Sequence, residues 1–178
     1  FEAHAHAVTQ LILDDLYRLP ELDRGIYTPD HVQPQIDMVF PPERLTERVR
    51  RGGGYVIVND GGEHIAFAGF EPLSPEYAFR GTDQAADYSV RGRAAVVLCG
   101  HVRPDVRGKK IRHDDGMEDR SAFDWLFDEV VKGAAHQGYD DLVGFALAHR
   151  AVIGRYVQRG ATPMGNVNRL MGGVEIPF

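Results

Sequence analysis

Between Arg103 and Arg112 the chain carries five cations (Arg103, Arg107, Lys109, Lys110 and Arg112) against one anion, Asp105. They follow the apolar run Val96-Val97-Leu98-Cys99-Gly100-His101-Val102 and a break at Pro104. A buried-type strand that empties into a cationic turn is a natural holder of phosphate. Arg and Lys supply charge-assisted donors, a following helix start adds backbone N–H groups, and ligands collect at such strand ends. The competing reading is a solvated basic turn neutralised by Asp114, Asp115, Glu118 and Asp119. The position of the turn at a strand-to-helix junction favours anion binding.

Other reactive side chains make weaker patterns. His4-Ala5-His6 has the look of a metal pair, but a disordered terminus or an expression remnant over residues 1–7 is the plainer reading. His113-Asp114-Asp115 has ligand chemistry without a second cluster to complete a site, so no metal is expected. Cys99 lies inside an apolar strand with no Cys/His/Asp spacing around it, and reads as core. Trp125 falls on an apolar helix stripe and reads as packing.

Composition bounds the class. At 178 residues the chain reads as one domain, long enough to bury roughly 70% of its unfolded surface. A single cysteine excludes an internal disulfide framework and suits a reducing, cytoplasmic compartment. No apolar run reaches the roughly 18 residues of a membrane helix, and no signal-peptide pattern is visible. The formal net charge of −6 argues against general nucleic-acid binding, and no aromatic–basic interleaving offsets it.

The elements follow from periodicity and punctuation. Val8 to Leu19 has helical spacing and stops at Pro20, and Pro42 to Arg51 is a second helix closed by Gly52-Gly53-Gly54. Residues 21–41 and 71–92 read as irregular connections, the latter long enough to cover a site. Tyr55–Val58 and His64–Phe70 form a hairpin around Asn59-Asp60-Gly61-Gly62, and Ala94–Val102 is a third strand. Ser121 with Asp124 marks the start of a helix over 122–137, ended by Gly138. A strand over 142–147, a helix over 150–158 ending at Gly160, and one or two short strands around Gly172-Gly173 complete the order. A hairpin followed by a βαβ crossover predicts a mixed α+β sheet flanked by helices.

With Val102-Arg103-Pro104, then Arg107-Gly108-Lys109-Lys110-Ile111-Arg112, then Tyr156-Val157-Gln158-Arg159-Gly160-Ala161, the chain resembles the GNAT (Gcn5-related N-acetyltransferase) superfamily. The resemblance covers residues 94–165 by motif and residues 8–70 by element order. It implies a GNAT-like α+β fold: a mixed, mostly antiparallel central sheet flanked by helices in a single domain over residues 1–178. It also implies transfer of an acetyl or longer acyl group from acyl-CoA to an amine by direct attack in a ternary complex.

On that resemblance Tyr156 matches the general acid that protonates the departing thiolate. Leu98, Gly100 and Val102 match the backbone segment along the pantetheine arm, with Gly100 suited to a local bulge. Arg107, Gly108, Lys109, Lys110, Ile111 and Arg112 match the phosphate turn, and His149 a coenzyme contact. Two departures stand out. Lys110 and Arg112 replace the family's glycines, so a phosphate grip here would use side chains, and an insertion over 112–121 separates the turn from its helix. The strand 94–102 has no carboxylate to serve as base, which leaves water, His101 or, at the end of the preceding strand, Glu71. The acceptor implied is a small-molecule or peptide amine, and a sheet edge of this kind can support a homodimer. The alternatives are a catalytically silent GNAT-like binding module and an acyltransferase whose donor rides on an acyl carrier protein.

Overall fold

The computed structural model describes residues 2–16, 28–30, 33, 37, 41–73, 92–111, 119–144, 152–163, 168–171 and 174–177. Helix α1 spans Glu2–Leu16 and α2 spans Pro42–Arg50. The helix therefore begins before Val8 and takes in residues 2–7, expected above to be a disordered terminus or remnant. The reason is packing. Ala5 joins Val8, Leu11 and Ile12 on the buried side of α1, and the last three meet Leu45 of α2 and Phe67 of the sheet.

Strands β1 (Gly54–Asp60), β2 (Glu63–Pro72) and β3 (Ala94–Val102) form an antiparallel set, and β6 (Asp141–Gly144) adds parallel to β3 in the order β1-β2-β3-β6. The fold is a mixed, mostly antiparallel α+β sheet flanked by helices. Asn59 and Asp60 belong to β1, so the hairpin turn is only Gly61-Gly62. Both have positive φ (56° and 86°), the backbone a tight primed turn requires.

Between β3 and the next helix come a short 3₁₀ turn (Pro104–Val106) and a small antiparallel pair, β4 (Lys110–Ile111) with β5 (Arg120–Ser121). Helix α3 spans Ala122–His136 and α4 spans Val152–Gln158, and β7 (Asn168–Met171) pairs with β8 (Val174–Pro177). The Asp124 N–H donates to Ser121 Oγ at 3.2 Å, the N-cap read from the sequence, and that hydroxyl donates to the Asp124 carboxylate at 2.7 Å.

The middle of β2, Ile65 to Phe70, is buried on both faces. Phe67 looks toward α1 and α2, while Ala66, Ala68 and Phe70 pack with Leu126, Val130 and Ala134 of α3. Two helical layers thus sandwich the sheet, and pairing with β2 assigns Gly100, His101 and Val102 of β3 to one or the other.

Candidate functional site

Pairing across β2 and β3 fixes what β3 presents. Gly69 opposes Cys99 but Phe70 opposes Val97, so Leu98 is the unpaired extra residue and the bulge lies there, not at Gly100 as the sequence suggested. The reason is register: Gly100 sits in ordinary pairing with Ala68. Gly100 is instead open. It is exposed, and among the described residues a methyl group built on it would meet no heavy atom within 4 Å. It shares the α3 face with Val102, which opposes Ala66 and packs on the α3 core.

His101 lies on the other face. It opposes Phe67, which packs against α1 and α2, and it is 5% exposed. The imidazole is a buried core histidine under the α1 layer. Tyr156 is placed elsewhere: on α4, half-buried, its ring against Phe123 (5.3 Å between centroids) and Phe127 (5.8 Å) of α3. The two candidate catalytic residues are thus set on opposite layers, and Tyr156 shares a layer with Gly100.

The cationic turn divides into committed and exposed charges. Arg103 donates to Glu63 at 2.6 Å and to Asp105 at 2.7 Å. That guanidinium holds the Asp105 carboxyl below the usual carboxylate range, and the two anions raise the pKa of Arg103 in turn. Arg107 Nε donates to the Val102 carbonyl at 2.9 Å, which braces the turn against the end of β3. Gly108 takes φ +73°, a conformation that L side chains disfavour, and the chain can then reverse into β4. Lys109 and Lys110 are exposed. The Ile111 side chain is buried in the α3 core, so Ile111 can offer a ligand only its backbone.

The β4–β5 pair decides how the insertion is accommodated. Lys110 opposes Ser121, the N-cap of α3, and Ile111 opposes Arg120. The insertion leaves and returns at this pair, so the turn lies beside the α3 N-terminus although residues 112–118 intervene in sequence. Arg112 and His149 lie outside the described residues, as do the side chains of Leu98 and Cys99.

Two groupings were not foreseen. Arg159, just after α4, donates to Asp124 (2.5 Å) and Asp128 (2.6 Å) of α3, and Arg120 also binds Asp128. Burial works to raise the Asp124 pKa, but its bonds to Ser121 and Arg159 outweigh that and leave it below the usual carboxylate range. The i, i+4 spacing of Asp124 and Asp128 was the available signal, but it could not name the partner. On the α1/α2 face, Arg48 of α2 lies 3.2 Å from Glu71, which opposes Val96 of β3. Desolvation pushes the Glu71 carboxyl up, while Arg48 pulls it back. Among the described residues no group of three or more His, Cys, Asp or Glu converges on a metal position, and no helix is long and apolar enough to cross a membrane.

No protein-family model matches the chain, and no curated protein matches it. Solved structures do. The paiA N-acetyltransferase of Thermoplasma acidophilum, in complex with coenzyme A, is 12% identical with TM-score 0.61, over 99% of this chain and 91% of that one. The ribosomal-protein-alanine N-acetyltransferase of Brucella melitensis is 15% identical with TM-score 0.63, over 99% and 91%. The yncA protein of Salmonella typhimurium, with its cofactor acetyl-CoA, is 14% identical with TM-score 0.58, over 99% and 86%. Matching element order, one parallel junction between β3 and β6, and these full-length superpositions identify the chain as a divergent carrier of the GNAT N-acetyltransferase fold.

Proposed function

We propose that this protein is an N-acyltransferase that moves an acetyl or longer acyl group from acyl-CoA to an amine. One observation carries the reading. On β3 the bulge at Leu98 is followed by Gly100, whose side-chain position on the α3 face is open among the described residues, and the strand runs into a cationic turn beside the α3 N-terminus. A pantetheine arm would lie along this stretch of β3, and the phosphates would meet Arg107, Lys109 and Lys110 through their side chains. The Ser121 hydroxyl already takes one of the first-turn N–H groups of α3, which leaves the lysines the larger share of the grip.

In the reaction the amine lone pair attacks the thioester carbonyl. The C–N bond forms, the C–S bond breaks, and the thiolate takes a proton from Tyr156. The amine proton passes to solvent water, because His101 is enclosed on the α1 face. Orientation of the two substrates and polarisation of the carbonyl by strand backbone would supply most of the acceleration.

Calorimetric titration of acetyl-CoA and free coenzyme A tests the proposal, with the Arg107→Ala, Lys110→Ala double variant as control. Micromolar binding that weakens at least tenfold in the variant and declines with salt supports it. Absence of binding to the unaltered protein refutes an acyl-CoA donor. The exposed Lys109 and Lys110 also suit a donor carried on an acidic acyl carrier protein, so pull-down with that carrier is the next step in that case.

A further inference from the structure

Helix α1 and the β1–β2 hairpin meet through two imidazoles. His4 Nδ1 lies 3.1 Å from His64 Nε2, with ring centroids 5.0 Å apart and planes at 52°. The β1–β2 register shifts between Val58 and Asn59, which sets Asn59 directly opposite His64. There Asn59 Oδ1 lies 2.5 Å from His64 Nδ1. An amide oxygen only accepts, so His64 carries its proton at Nδ1 and turns the lone pair of Nε2 toward His4.

This is the arrangement a metal-ligating histidine requires, with one nitrogen fixed by a second partner and the other presented to the ion. The spacing agrees. Two imidazole nitrogens bound at about 2.0–2.1 Å lie roughly 2.9 Å apart at a right angle and roughly 3.4 Å apart at a tetrahedral one. The observed 3.1 Å falls between those limits. A lone hydrogen bond between two solvent-facing imidazoles, by contrast, contributes little against competing water.

We propose that His4 and His64 form a binding site for a divalent transition-metal ion of the imidazole-binding kind, such as Zn²⁺, with Asn59 orienting His64. Among the described residues no third protein ligand converges, so water completes the coordination and the site is open. Glu63 beside His64 is engaged by Arg103 at 2.6 Å and is not counted as a ligand. His6 is two residues from His4 and lies on a different side of α1, so the short-range His pair in the sequence is not the pair that binds. Bound there, the ion ties α1 to the hairpin and secures the helical layer over Phe67 and His101.

The test uses chelator-treated protein without a polyhistidine tag, titrated with Zn²⁺ alone in a calorimeter and melted with and without it. The expected result is one ion per chain with micromolar affinity, and a Tm rise of roughly 5–10 °C at about 100 times Kd. His4→Ala, an exposed helical position where alanine is well tolerated, should abolish both signals, and so should His64→Ala. His6→Ala should retain both, and Asn59→Ala should weaken binding about tenfold or more. Absence of binding up to about 1 mM Zn²⁺, or binding unchanged in His4→Ala, overturns the proposal. None of these readouts depends on acyl transfer.

Discussion

Arg159 is the residue whose removal most directly tests how α4 is held. Its guanidinium forks onto Asp124 and Asp128 at 2.5 and 2.6 Å, and its charge sits 5.9 Å from the Phe127 ring centre. Buried charge-assisted bonds contribute about 1.5–3 kcal/mol each. These side chains are 27–33% exposed, so solvent brings each bond down to about 1 kcal/mol. Arg159→Met keeps the aliphatic packing, removes both bonds, and leaves Asp124 and Asp128 facing each other at i, i+4, which adds a few tenths of a kcal/mol. Arg120 still neutralises part of Asp128. The expected loss is about 2 kcal/mol in urea unfolding at neutral pH. A double-mutant cycle with Asp124→Asn should show a coupling of about 1 kcal/mol that shrinks in 1 M NaCl. A coupling within about 0.3 kcal/mol of zero would refute the claim that this fork holds α4 against α3.

Gly69→Ala would drive a methyl carbon into Tyr55 Cε1 and Cδ1, displacing a ring that stacks on Phe67, and should cost about 1–3 kcal/mol in denaturant unfolding. A cost below about 0.5 kcal/mol would mean that the ring moves aside freely. Tyr156→Phe keeps the ring contacts with Phe123 and Phe127, so Tm and acyl-CoA affinity should hold while kcat falls about 100-fold or more; an unchanged kcat removes Tyr156 as the acid. Asp124 has a depressed folded-state pKa, so the unfolded chain binds its proton more readily. Its contribution is therefore present above the ordinary carboxylate value and lost as pH falls through the depressed one. Unfolding free energies between pH 6 and pH 2 should accordingly fall more steeply in the native protein than in Asp124→Asn. Glu71 has the opposite sign: its raised value means that stability drops as pH climbs from the ordinary carboxylate value to the raised one, and Glu71→Gln should flatten that interval.

Local pattern determined much of this protein. The apolar run 94–102 became β3 within the same limits, Ser121 with Asp124 capped α3 as its spacing required, and Gly61-Gly62 closed the hairpin. These features depend on period, side-chain reach and φ, which a few neighbouring residues settle among themselves. The α+β class and the parallel pairing of β3 with β6 followed from element order for the same reason. What the sequence could not determine was which side each residue faces and what meets it there. The one-residue bulge at Leu98 reverses the face of everything after it on β3, and it sends His101 beneath α1 while Gly100 stays open on the α3 side. Residues 2–7 became helical because Ala5 and Val8 found a buried surface built by segments far along the chain. The pairings of Arg159 with Asp124, Arg48 with Glu71 and His4 with His64 likewise join distant positions. Only the folded chain decides them, because register and layer packing are collective: each partner is chosen by the burial of every other.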